Sequence, residues 1–228
     1  MCKAVLFFDL FFTLIEPKYS SGLNENDILG VSVDQWESIA EDQELYVRRA
    51  TGQVQNHLQM IDEIVIKGGF NPSPDQRNRL LELRMNRMRS ALHHVDSAIL
   101  NTLSLLKEMG LQLCVISNAD TIDIAGWEAS PLCMLFDSAI FSCDIGSMKP
   151  QPHIYQAAME RMGISPQRSF FIGDGGSDEL HGAKAVGMKT VLSDHFIKRT
   201  DQGLKKLLEH SDYHIIDFRE LLEIPLCE

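Results

Sequence analysis

Four short stretches of this 228-residue chain carry side chains able to do chemistry, and each one follows an apolar run. Asp9 stands in AVLFFDLFFTL, Ser117 and Asn118 in VISNAD, Lys149 in SMKPQPHIY, and Asp174 with Asp178 and Glu179 in FFIGDGGSDELHGAKAVGM. Taken singly they are ordinary: an aspartate after a strand caps turns and helices, and a glycine-rich acidic stretch is often only a loop. Taken together they make a site. A lone buried carboxylate costs several kcal/mol, so Asp9 must lie at a strand's open end or face a cation. Asp9 and Asp174, brought to adjacent strand ends with Asp178 or Glu179 beside them, would raise one another's pKa unless a cation sat between them. Hard oxygen ligands with a retained solvent shell suit Mg²⁺. Ser117, Asn118 and Lys149 could then hold the oxygens of a tetrahedral anion, which leaves Asp9 as a nucleophile aimed at the bound group.

Positioning these groups requires strands that end together. Apolar runs at 4–8, 111–116, 169–173 and 188–192, with a weaker one at 213–216, alternate with helical patterns. One such pattern, Ile99, Leu103 and Leu106, follows a possible N-cap at Asp96 and stops at Gly110. Continuous apolar strands alternating with amphipathic helices predict an α/β fold with a parallel sheet covered on both faces, its chemistry at the carboxyl ends of the strands. Between the first two strands lie roughly ninety residues, far more than a crossover helix needs. Ser32 and Gln35 have capping-box spacing, and Trp36, Ile39, Ala40, Val47 and Ala50 trace an apolar face. Val54, Leu58, Ile61 and Val65 trace a second, and a third helix opens at Ser73-Pro74 and places Leu81, Met85, Met88 and Leu92 inside. This predicts an α-helical insertion at residues 17–92 over the carboxyl edge of a core formed by 1–16 and 93–228.

The totals narrow the function. At 44% hydrophobic the chain can bury a full core, and a net charge of −11 argues against a nucleic-acid partner. No apolar run approaches the ~20 residues of a membrane span, and the first run meets Asp9 too early for a secretory signal, which predicts a cytoplasmic protein. Cys2, Cys114, Cys133, Cys143 and Cys227 are odd in number and lack a CxxC pair, so neither a disulfide framework nor a zinc site is expected.

In order and spacing, FFDLFFTL, VISNAD, SMKPQPHIY and FFIGDGGSDELHGAKAVGM resemble the four motifs of the haloacid dehalogenase superfamily. The resemblance implies a Rossmann-like core with a small helical cap inserted after the first motif. It implies that Asp9 is the nucleophile, Thr13 orients the first loop, Ser117 and Asn118 contact the substrate, and Lys149 stabilises charge. Asp174 and the backbone carbonyl of Phe11 would be metal ligands, completed by Asp178 or Glu179. The loop's distance to Gly182-Ala183 favours Glu179, whereas Asp178 has the more typical side chain.

Two departures matter. Where the family's phosphatases carry a second aspartate, the general acid, this chain has Phe11, and Phe12 replaces a common glycine. Phenylalanine cannot move a proton, a contribution commonly worth ~10²–10⁴ in rate. The family's dehalogenases also carry an aromatic residue there, since a halide needs no proton, and Tyr155 matches one of their substrate-site tyrosines. The acidic fourth motif points instead to the magnesium-dependent members. Arg48 and Arg49, and the group Arg84, Arg87 and Arg89, read as solvated helix faces, and His153 and His181 as surface residues. Three readings follow: a Mg²⁺-dependent phosphatase of small phosphorylated metabolites limited to good leaving groups, a dehalogenase-like hydrolase of 2-halo acids, or an idle member that binds a metabolite or protein.

Overall fold

The computed structural model describes residues 4–226, so Cys2 and Cys227 lie outside the described residues; Cys114, Cys133 and Cys143 are free thiols. Strand β1 (Val5–Phe8) is followed by helices α1 (Glu25–Leu29), α2 (Val33–Ala40), α3 (Gln43–Ala50), α4 (His57–Lys67), α5 (Pro74–His93) and α6 (Ser97–Glu108). Then come β2 (Gln112–Ser117), β3 (Ser138–Phe141), α7 (Ser142–Ile145), α8 (Pro152–Met162), β4 (Ser169–Gly173), α9 (Glu179–Ala185), β5 (Lys189–Ser193), α10 (Asp201–Leu208) and β6 (Tyr213–Ile215). The strands form one parallel sheet in the order β3-β2-β1-β4-β5-β6.

Alternation of side chains along β1 builds two cores. Leu6 and Phe8 pack with Ile99, Leu103 and Leu106 of α6 on one face, and Val5 and Phe7 pack with Ile154 and Ala158 of α8 and Leu180 and Ala183 of α9 on the other. This is the two-sided burial that the continuous apolar runs predict. The expected strands are all present. The additional one, β3, is a four-residue edge strand whose Ser138 and Ala139 are only partly buried, too short and mixed to stand out from a loop.

Helices α1–α5 gather around a separate cluster of Trp36, Ala40, Leu45, Ile61, Ile64, Val65 and Leu80. The expected capping box of Ser32 with Gln35 forms, and Ser73, at the expected start of α5, makes another with Gln76. The apolar faces differ in detail. Asp42 caps α3 by accepting from the Leu45 N–H at 3.3 Å, which breaks the continuous helix expected through Val47 and resets its phase. Leu45 and Arg49 therefore turn inward while Val47 is exposed. Leu58 is exposed as well, and α5 buries Leu80 and Arg84 where Leu81 and Met85 were expected. No helix of the described residues is long and apolar enough to cross a membrane.

Candidate active site

The sheet order reverses at β1, whose later neighbours β2 and β4 lie on opposite sides, and open α/β sheets bind ligands at such a point. Phe8 is in register with Val115 of β2 and Ile172 of β4, so the next residues along all three strands emerge at one edge. The Asp9 N–H continues the ladder, donating to the Ile172 carbonyl at 2.9 Å. Asp9, Ser117, Asn118 and Asp174 therefore meet above the sheet, and all are buried. Lys149 arrives from the loop before α8. Asn118 fixes it there: its Oδ1 accepts from the Lys149 N–H at 2.7 Å while its Nδ2 donates to the Lys149 carbonyl at 3.0 Å.

The Lys149 ammonium donates to Asp9 Oδ1 and to Glu179 Oε2, the latter at 2.5 Å. Carboxylate oxygens of Asp9, Asp174 and Glu179 lie within 4.8 Å of one another. Burial pushes the Asp9 carboxyl up, and Asp174 adds to this against the pull of Lys149. Burial and Asp9 likewise raise Glu179 well above the usual carboxylate range. Burial alone would lower Lys149, but Asp9 and Glu179 hold it up, so it stays an ammonium. Three carboxylates therefore crowd a space with one ammonium at its centre. The donor set, all hard oxygens with unrelieved negative charge, fits a divalent cation such as Mg²⁺.

Thr13 Oγ1 donates to Asp9 Oδ2 at 3.3 Å and Ser117 Oγ to the Asn118 carbonyl at 3.4 Å. A cavity of about 200 Å³ opens above them, walled by Phe11, Phe12, Tyr46, Asn118, Asp174 and Ser177. Two expectations change here. Asp178 takes a left-handed conformation, φ 51°, and is exposed, and the carboxylate that joins Asp9 and Asp174 is Glu179, the first residue of α9. Gly173 permits this approach, because a Cβ there would meet Glu179 Oε1 at 2.1 Å. Tyr155 is not at the cavity. Fully buried on α8, it packs edge-on against Phe171 and donates its hydroxyl to the Glu179 carbonyl at 2.8 Å, so it positions the acidic loop from below. Gly182 keeps that contact close, since a Cβ there would meet the Tyr155 hydroxyl at 2.8 Å.

The arginines depart furthest from expectation. Arg49 and Arg84 are each 1% exposed. Arg49 Nε donates to Asp120 Oδ2 at 3.0 Å, and Arg84 Nη2 lies 3.1 Å from Glu41 and 3.5 Å from Asp123. Arg87 pairs with buried Glu25 at 2.9 Å. Arg48 is half-buried beside Glu63, and Arg89, His153 and His181 are exposed as expected. Asp120 and Asp123 thus tie the loop after β2 to α3 and α5. Arg199, after β5, donates to the Asp174 carbonyl, lies 3.3 Å from its Oδ2 and bonds Asp194 at 2.7 Å. Flanked by Lys198 and Thr200, it carries no sequence signal of this role.

Asp123 has a consequence for stability. Burial, then Asp120 and Glu41, push its carboxyl up to about 7 although Arg84 opposes them. Because the folded value lies above the ordinary 3.8, ionising Asp123 costs stability progressively from about pH 4 to pH 7, and the full penalty applies above that. Asp123→Asn should match the wild-type melting temperature near pH 4 and exceed it increasingly toward pH 8. A gap that does not grow with pH, or an Asn variant that melts lower at pH 8, contradicts this.

The family description haloacid dehalogenase-like hydrolase matches residues 5–208. The chain belongs to this hydrolase family. Among haloacid dehalogenase-like relatives, (S)-2-haloacid dehalogenase 4A of Burkholderia cepacia is 28% identical over 188 residues, 81% of this chain and 80% of that one. Glyceraldehyde 3-phosphate phosphatase of Methanothermobacter thermautotrophicus is 29% identical over 204 residues, 84% of this chain and 85% of that one. A match to the rat bifunctional epoxide hydrolase 2, 30% identical over 122 residues, covers 51% of this chain but only 21% of that longer protein. In fold, the chain is similar to a Bacteroides thetaiotaomicron enzyme of the family solved with magnesium and inorganic phosphate. The TM-score is 0.63 at 19% identity, with 87% of this chain and 98% of that chain covered.

Proposed function

We propose that this hydrolase is a Mg²⁺-dependent phosphatase of small phosphorylated metabolites, with Asp9 as nucleophile and residues 17–92 as its cap. The observation that carries the reading is the cluster of Asp9, Asp174 and Glu179 around Lys149, a concentration of carboxylates that a bound cation would relieve. Asp9, Asp174 and Glu179, with the Phe11 carbonyl, would hold the ion, which when bound neutralises the carboxylates and the phosphate oxygens. An Asp9 oxygen attacks phosphorus, the bond to the leaving oxygen breaks, and an aspartyl-phosphate forms; water then attacks phosphorus, releasing phosphate and restoring Asp9. Thr13 orients Asp9, Lys149 and Ser117 stabilise the phosphoryl oxygens, and Asn118 holds Lys149 in place. Phe11 leaves the departing oxygen without a proton donor at the usual position.

Mg²⁺ should raise the melting temperature, because a ligand bound by the native state alone stabilises it by about 2.7 kcal/mol at a hundredfold excess over Kd. Asp174→Ala and Glu179→Ala should erase the response and Asp178→Ala should keep it. A melting curve indifferent to millimolar Mg²⁺ contradicts the reading. The second reading, hydrolysis of a 2-halo acid through an Asp9 ester, is favoured by one observation, the aromatic Phe11 two residues after the nucleophile. Turnover of such an acid that survives EDTA would select it.

A further inference from the structure

A second cavity, of about 450 Å³, adjoins the first: Phe11, Phe12, Tyr46 and Asn118 line both. A group leaving the phosphorus above Asp9 has this space beside it. Its further walls include Tyr19 and Met88, so four aromatic rings surround it, and Phe12 holds its ring there from a left-handed backbone, φ 58°, that a bulky side chain rarely adopts.

The charged walls decide what fits. Glu37 and Glu41, joined by Asp123 once it ionises above about pH 7, face Arg84 and Arg87. Both guanidiniums are already paired with carboxylates. Arg84 is held by Glu41 and Asp123, and its two unpartnered nitrogens, Nε and Nη1, are sealed from solvent. Arg87 is held by Glu25 at 2.9 Å and Glu37 at 3.4 Å and stacks over Tyr19 at 4.4 Å. A carboxylate entering here would meet Glu37 and Glu41, and Asp123 as well once it ionises. Resting on the phosphatase reading above, we propose that this cavity selects a flat, largely apolar leaving group without negative charge, so that the substrates are phosphate esters of phenols and not of hydroxy acids.

The test compares phenyl phosphate, 4-(aminomethyl)phenyl phosphate and 4-carboxyphenyl phosphate, which share a ring and differ in charge. The carboxylate should lower kcat/KM roughly tenfold or more, mainly through KM, because like charges face each other in the complex. In Glu37→Gln/Glu41→Gln the penalty should shrink to about threefold or less. Binding of the free phenols is followed in parallel by ligand-observed NMR: 4-methylphenol should bind, 4-hydroxybenzoate should not, and Phe12→Ala, at an exposed position, should weaken the former. If no phosphate ester turns over with Mg²⁺, the phosphatase reading fails, while selective binding of the neutral phenol still supports the cavity's preference. Equal or better use of the carboxylated ester, or of 4-hydroxybenzoate, overturns the proposal, as does binding of neither phenol.

Discussion

Asp9→Asn is expected to abolish hydrolysis, lowering turnover by roughly 10³-fold or more, as the loss of a nucleophile does elsewhere. The amide nearly matches the carboxylate in shape but is a far poorer nucleophile. The fold should survive. Burial and Asp174 hold the Asp9 carboxyl above its ordinary pKa, so its charge is a burden in the folded state, and Lys149 keeps Glu179 as a partner at 2.5 Å. Without Mg²⁺ the variant should melt at or above the wild-type temperature, and the response to the ion should weaken. Near-parental turnover of any substrate removes Asp9 from its assigned role.

Phe11→Asp is expected to produce the opposite kind of change, a selective gain. Its ring is half-buried on the wall shared by the two cavities, two residues beyond the nucleophile. A carboxylic acid there could protonate the departing oxygen, a contribution worth ~10²–10⁴. The gain should fall on alkyl phosphates, whose leaving groups need a proton most, and leave aryl phosphates little changed. Wild type should show the reverse of this pattern, a steep dependence on leaving-group acidity. Folding must be checked by circular dichroism, because truncating a buried phenylalanine can cost ~3 kcal/mol or more. A folded variant that gains nothing on alkyl phosphates, or a wild type that already cleaves them at ordinary rates with Mg²⁺, shows that the missing acid does not limit the reaction.

What could be read from the chain follows from the range of the forces involved. The strand runs and the polar residues ending them are local signals, so Asp9, Ser117, Asn118, Lys149 and Asp174 were legible, and the sheet register then brings them together. The choice between Asp178 and Glu179 depends on two successive left-handed residues, Ser177 and Asp178, which turn one carboxylate out and the next in. No propensity encodes that. Tyr155 lies one helical turn inside α8, where a tyrosine that reaches a substrate and one that props up a loop look alike. Arg49 and Arg84 failed for a further reason: a cation on an amphipathic helix reads as solvated unless its acid is known. The partner of Arg49, Asp120, lies 71 residues away in the chain. Even so, the phase of α3 carried a hint, since Leu45 and Arg49 are four residues apart on one face once Asp42 is taken as the cap.

The account rests on phosphoryl transfer to Asp9, and rapid-quench mass spectrometry of the Asp9 peptide during turnover of an aryl phosphate in ¹⁸O-water measures it most directly. With Mg²⁺ present, the peptide should carry a phosphoryl group transiently, and the heavy oxygen should appear in the released phosphate and not in Asp9, because water attacks phosphorus. Asp9→Asn should show neither. An Asp9 peptide that never gains a phosphoryl group while phosphate is released, or one that gains heavy oxygen in its own carboxylate with a 2-halo acid and no metal, contradicts the account.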